Sequence, residues 1–163
     1  MKLQKKFMKI AISEAKKGIN KDENPFGACI VRDNKIISWA YDKVFTDNDM
    51  SSHAEMLAIR EACRVLDSCD LSGCILYSTH EPCPMCFTFA HLVKIPKIAF
   101  GVFIEDGRKL GYSRDTFPAR KMKNLLNSPI NLHPGFLRRE ALGLIRMWEK
   151  KRLIKNSLWV NLS

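Results

Sequence analysis

Nowhere does the chain run through about 18 apolar residues without a charge, the minimum for a membrane-spanning helix. It also lacks the composition of a fibre or a disordered chain: 8 glycines and 7 prolines in 163 residues leave no glycine- or proline-rich tract. The basic start, Met1 to Ile10, has neither the continuous apolar run of roughly 7 to 15 residues nor the small-residue cleavage site of an export signal, so the expected location is cytoplasmic. No linker-like stretch or internal repeat divides the sequence, and the expectation is one domain over 1–163. Acidic residues are scarce in one region only. Residues 108–155 carry thirteen lysines and arginines against Asp115, Glu140 and Glu149, whereas the rest of the chain is balanced at fourteen of each sign. That basic third is the electrostatic footprint of RNA or another phosphate-bearing partner, or a solvated face.

What is present alternates between two periods. Leu3, Phe7, Ile10, Ala11 and Ala15 recur helically, predicting a helix over 3–18 that Gly18 ends in the left-handed conformation. Ala28–Val31 and Ile36–Tyr41 flank Asp33-Asn34 and predict a β-hairpin, with Trp39 and Tyr41 as sheet-packing residues, followed by a polar loop at Thr46–Asp49. Ala54, Leu57, Ala58, Ala62, Val65 and Leu66 predict a helix starting at or just after Ser52. A buried strand follows at Cys74–Thr79, a helix at Pro84–Val93 with proline in its first turn, and a strand at Ile98–Ile104. A helix around Pro118–Leu126 and a basic helix around 136–152, with Leu137, Ala141, Leu144 and Trp148 on one face, complete an α/β layered domain.

The chemistry concentrates in His53-Ala-Glu55 and Pro82-Cys83-Pro-Met-Cys86. Cysteines in a chain that is not exported stay reduced, so a Cys-x-x-Cys pair reads as metal-binding or redox-active. Two thiolates with one distant histidine give zinc three ligands and leave its fourth position open for water, as in catalytic sites. Glu55, two residues from His53, is placed to carry protons without binding the metal. Helix starts suit this chemistry because the dipole there favours thiolate. Other readings stand beside it. Ser52-His-Ala-Glu55 fits a capping box, Cys83 and Cys86 alone fit a redox pair, and a closed four-ligand site would draw on Cys74, His80, His91 or His133.

Taken with Pro25-Phe-Gly-Ala28, Thr46-Asp-Asn-Asp49, Ala58-Ile-Arg60 and Glu81-Pro-Cys-Pro-Met-Cys86, these blocks make the chain resemble the cytidine and deoxycytidylate deaminase superfamily. Within it the chain is most similar to bacterial-type guanine deaminases and the related tRNA adenosine deaminases. The resemblance runs from about Phe7 to Phe103 and weakens beyond. It implies a three-layer α/β/α fold with a central five-stranded mixed sheet, one zinc ion per chain on His53, Cys83 and Cys86, Glu55 as the catalytic proton shuttle, and a homodimer. It further implies hydrolytic deamination of a purine nucleobase or nucleoside of the guanine type, with tRNA adenosine or cytidine and deoxycytidylate as alternatives, and substrate contacts at Phe26, Asp42, Ala54 and Asp115. Asp42 stands where relatives carry asparagine, and an ionised carboxylate accepts hydrogen bonds but cannot donate them. His133-Pro-Gly-Phe-Leu137 and the basic helix after it are similar to the last segment of tRNA adenosine deaminases, which would bring RNA as a partner.

Overall fold

The computed structural model describes residues 2–109 and 117–160. Helix α1 (Lys5–Asn20) leads into the hairpin β1 (Gly27–Arg32) and β2 (Lys35–Tyr41), then a single turn of helix, α2 (Val44–Asp47), and α3 (Ala54–Val65). Strand β3 (Cys74–His80), α4 (Pro84–Leu92), β4 (Lys97–Val102), the short α5 (Ile104–Lys109) and α6 (Ala119–Leu125), β5 (Asn131–His133) and α7 (Arg138–Val160) follow. The five strands form one sheet in the order β2-β1-β3-β4-β5. Strand β1 is antiparallel to both β2 and β3, while β3, β4 and β5 run parallel, so the sheet is mixed.

Side-chain alternation along the central strands builds the layers. Ala28 and Ile30 of β1, Leu76 of β3, and Ile98 and Phe100 of β4 face α3, α4 and Ala119 of α6 in one apolar cluster. Their neighbours Cys29, Val31, Ile75, Tyr77 and Ala99 face the opposite way, onto α1 and Leu144 of α7. Both faces of β3 are covered, which is why Cys74 to Thr79 are all buried and the strand reads as a continuous apolar run. The result is the expected three-layer α/β/α arrangement. No helix among the described residues is long and apolar enough to cross a membrane.

Several local details depart from the sequence reading. Helix α1 runs two residues past Gly18, which lies inside it; a β-carbon there would meet the Tyr41 ring at 3.1 Å, so Gly18 serves packing and not termination. Thr46–Asp49 is not a plain loop, because Glu23 accepts the Phe45 and Thr46 amides (3.0 and 2.7 Å) and draws the segment into α2. Strand β4 stops at Val102, since Ile104 already opens α5. The three-residue β5 carries no apolar run long enough to read. Trp39 is 53% exposed and does not pack on the sheet, whereas Tyr41 is half-buried against Gly18. The final helix begins at Arg138, two residues after the expected start, and continues to Val160.

The hairpin follows the sequence reading, and the structure adds a close approach of α1. Asp33 and Asn34 both adopt positive φ (48° and 59°), the conformation a two-residue hairpin turn requires. Gly27 lets α1 lie directly on β1, for a β-carbon there would fall 2.1 Å from the Ala11 carbonyl oxygen.

Candidate functional site

The candidate site lies where α3 and α4 both begin. His53 occupies the N-cap of α3 and Cys83 the N-cap of α4, with Cys86 one turn further on. Pro84 at the first helical turn costs no hydrogen bond, so the proline that separates the two cysteines helps the helix begin between them. Two helix starts therefore converge, as their sequence positions predict.

His53 Nδ1 lies 3.7 Å from Cys83 Sγ and 3.5 Å from Cys86 Sγ, and the two sulfurs are 3.7 Å apart. Tetrahedral zinc with bonds of about 2.3 Å to sulfur and about 2.0 Å to nitrogen separates its ligand atoms by about 3.8 Å (S to S) and about 3.5 Å (S to N). The donor set fits that ion in both chemistry and spacing. Among the described residues these three form the one group able to hold a metal. Cys74, His80, His91 and His133 do not join it, which leaves a three-ligand, open arrangement.

The electrostatics suit a cation. The hydrogen bond from Cys86, aided by His53, pulls the Cys83 thiol down to about 4, so Cys83 is the ready thiolate, while the same sharing and burial hold Cys86 well up. Burial opposes a charge on His53, yet Cys83 and Glu55 together carry it up to about 9. Burial raises Glu55 above the ordinary carboxyl range, against the pull of His53.

The contacts of Glu55 bear on whether it caps its helix. Its Oε1 accepts from Ser78 Oγ at 2.9 Å, and its Oε2 lies 3.7 Å from Cys86 Sγ, on the side of the metal ligands. Ser52 Oγ turns away to Asp47 (2.8 Å), and no side chain caps α3, so no capping box forms. The carboxylate is buried beside the ligand trio, with its own backbone amide among the groups that act on it.

The remaining sequence candidates separate. Asp42 is fully buried: its Oδ1 accepts from Asn24 Nδ2 (2.9 Å) and the Val44 amide (3.3 Å), while Oδ2 meets no partner. His53 is among the charges that act on it, which places Asp42 toward the site. The Asp42 amide donates to the Phe26 carbonyl (3.1 Å), and the half-buried Phe26 ring stands 5.2 Å from the His80 ring. Ala54 is fully buried in the apolar cluster beneath the site. Asp115 lies outside the described residues.

Three supporting residues escape sequence reasoning. Ser78 reads as one polar residue in an apolar strand. Glu23 and Glu81 each sit next to or near a turn proline, the sole hint that a carboxylate is buried there. Glu81 accepts the Ala119 amide (2.7 Å) and the Ile104 amide (3.0 Å), tying the first residues of α5 and α6 to the end of β3.

Residues 1–102 match the family described as the cytidine and deoxycytidylate deaminase zinc-binding region. The chain is 49% identical over 94 residues to a tRNA-specific adenosine deaminase of Aquifex aeolicus, a match spanning 58% of this chain and 62% of that protein. It is 35% identical over 157 residues to the tRNA-specific adenosine deaminase of Bacillus subtilis (93% of this chain, 95% of that one). To the guanine deaminase of Bacillus subtilis it is 39% identical over 112 residues (68% and 71%). In three dimensions it is similar to a guanine deaminase from Nitrosomonas europaea, with a TM-score of 0.80 at 24% identity, over 91% of this chain and 85% of that one.

Proposed function

The chain belongs to the cytidine and deoxycytidylate deaminase family, and we propose that it hydrolyses the exocyclic amine of a purine of the guanine type, a choice of base that draws on the 39% identity to a guanine deaminase and not on family membership. Its class is that of a zinc-dependent nucleobase or nucleoside deaminase. His53 and the Cys83 and Cys86 thiolates would hold the zinc, which when bound supplies the Lewis acidity that makes a neighbouring water acidic near neutral pH. Glu55 takes a proton from the attacking water at Oε2 and passes it to the ring nitrogen beside the carbon under attack. Glu55 then takes the proton of the hydroxyl now bonded to that carbon and delivers it to the departing amine, so that the carbonyl forms as the carbon–nitrogen bond breaks and ammonia leaves. Burial, which raises the affinity of Glu55 for protons, favours the first of these transfers. The observation that carries the reading is the buried Glu55, fixed on one oxygen by Ser78 and open toward the ligand trio on the other.

Asp42 supports the choice of base. With Oδ1 already occupied, Oδ2 is a buried acceptor that a ligand must satisfy with a donor. Guanine brings ring N–H groups in addition to the reacting amine, whereas adenosine within RNA has no ring N–H and would have to offer a ribose hydroxyl instead. Phe26 would pack on the base from the side of His80. Asp115 remains in this proposal as a further substrate contact, as does the Ala54 position at the start of α3.

A second reading, deamination of adenosine in tRNA, draws on the near full-length likeness to a tRNA-specific adenosine deaminase and on the exposed Arg139, Arg146 and Lys150 of α7. Other basic residues there are engaged internally: Arg138 pairs with Asp106 (2.7 Å), and Lys151 Nζ donates to the Ile19 and Asn20 carbonyls at the end of α1. The proposal also includes a homodimer, for which the exposed Phe45, Met50 and Leu92 offer apolar surface, and a reducing, cytoplasmic setting that suits thiolate ligands.

The test is ammonia release by the zinc-loaded protein from guanine, guanosine, adenine, adenosine, cytosine, cytidine, deoxycytidylate and an adenosine-containing tRNA anticodon stem-loop. Turnover of guanine or guanosine supports the proposal. Turnover of the stem-loop alone, weakening steeply as salt rises, replaces it with the RNA reading.

A further inference from the structure

A second group of thiols lies at the far end of α3, one helix length of about 15 Å from His53. Helix α3 stops by folding its last turn back on itself: the Ser68 amide donates to the Cys63 carbonyl (3.0 Å), the Asp67 amide to the Arg64 carbonyl (3.3 Å), and Asp67 takes a φ of 47°. This pairing of amides with the last free carbonyls is a Schellman motif, and it returns the chain over the turn that carries Cys63. The return is held in place. The Asp70 amide bonds Ser68 Oγ (3.0 Å), and the Asp70 carboxylate accepts from the Ser72 amide (2.9 Å) and Lys94 Nζ (2.8 Å). Cys69, between these anchors, directly follows Ser68, whose amide is bonded to the Cys63 carbonyl, so the two cysteines share one turn and the Cys69 thiol acts on that of Cys63.

The two sulfurs differ in access. Cys69 is exposed and Cys63 half-buried, with the buried Cys74 behind them at the start of β3. They form no metal site, since among the described residues the group able to hold an ion is His53, Cys83 and Cys86.

We propose that Cys63 and Cys69 are a modification site at which a peroxide forms a reversible disulfide, clasping the last turn of α3 to the loop that leads into β3. The Cys69 thiolate attacks one peroxide oxygen, the O–O bond breaks, and hydroxide leaves to become water, giving a sulfenic acid on Cys69. The Cys63 sulfur then attacks that sulfur, the S–O bond breaks, and a second water departs as the S–S bond forms. Two thiols are oxidised by two electrons and one peroxide is reduced to two waters. Cys69 attacks first because the oxidant reaches it from solvent. Burial and the neighbouring Cys69 hold the Cys63 thiol above its ordinary range, so it is the less reactive of the two toward the oxidant and enters only in the second step.

The experiment treats the full-length, zinc-loaded protein with hydrogen peroxide, blocks the remaining thiols by alkylation and maps tryptic peptides. Cleavage after Arg60, Arg64 and Lys94 puts Cys63 in peptide 61–64 and Cys69 in peptide 65–94, so the bridge joins two otherwise separate fragments. Wild type and Cys74→Ser should both yield the joined pair, linked through Cys69 on fragmentation and released by dithiothreitol, and Cys69→Ser should leave Cys63 open to alkylation. Cys69 driven to sulfinic acid beside an alkylated Cys63 would overturn the proposal. So would a bridge from Cys63 to Cys74, Cys83 or Cys86, or a protein in which neither thiol reacts.

Discussion

Ser78 Oγ donates to Glu55 Oε1 across 2.9 Å, so a hydroxyl from the middle of the sheet fixes a carboxylate on a helix 23 residues earlier in the chain. The bond leaves Glu55 Oε2 as the oxygen facing the ligand trio. Ser78→Ala keeps the volume of a small side chain and removes that restraint, together with the longer bond that Ser78 Oγ accepts from the His80 amide (3.3 Å). One hydrogen bond is worth about 0.5–1.5 kcal/mol, so kcat should fall about 3- to 10-fold with KM little changed. Steady-state kinetics on the substrate that the panel identifies check this, and an unaltered kcat would remove Ser78 from the positioning of Glu55.

Glu81 holds together the part of the structure beyond β4. Its two oxygens take the amides of Ile104 and Ala119, and it is buried. Glu81→Gln retains one acceptor but turns an NH2 group against an amide donor, leaving a buried N–H unsatisfied. The expected cost is about 1–3 kcal/mol, read as a lower urea midpoint at unchanged m-value.

How far these roles are legible in the sequence depends on where their partners lie. His53, Glu55, Cys83 and Cys86 declare themselves because metal chemistry needs particular residue types at short spacings next to helix starts. The capping box is undecidable at that level, since Ser52 and Glu55 have the right separation; the contacts decide it, by giving Ser52 to Asp47 and Glu55 to Ser78. Glu23 and Glu81 act on amides 22 to 38 residues away, so no local pattern shows what they bind, even though Glu81 opens the block that carries the two cysteines. Gly18 misleads for the same reason, as the Tyr41 ring that requires its missing side chain belongs to another element. The sheet and its layers follow from period-two and helical patterns, except β5, which is too short to show one.

Burial pushes His80 down to about 4 from the ordinary histidine value of 6.5. Between those two values the unfolded chain holds a proton that the folded one does not, so this contribution to stability is complete above pH 6.5 and is lost as pH falls to 4. Wild type should lose stability over that window more steeply than His80→Phe, by up to roughly 1.4 kcal/mol per pH unit. Urea unfolding at several pH values reads the difference, and parallel curves for the two proteins would contradict it.

Removing one ligand should undo the metal centre. Cys86→Ser replaces a buried thiolate donor with a hydroxyl that stays protonated, and zinc content after dialysis should fall from one per chain toward none. Because bound metal stabilises only the folded state, the unfolding temperature of Cys86→Ser should match that of chelator-treated wild type. Full zinc retention by the variant would show that the ligand set is wrong.

The most direct test of the account follows the oxygen. Zinc-loaded protein turning over guanine in heavy-oxygen water should release one ammonia for each xanthine formed, with one heavy oxygen in each xanthine. Glu55→Gln, still binding one zinc, should be slower by about 100- to 10,000-fold, the range of general acid–base catalysis. Ammonia released without label in the product, or a Glu55→Gln variant as fast as wild type, would contradict hydrolysis driven by Glu55.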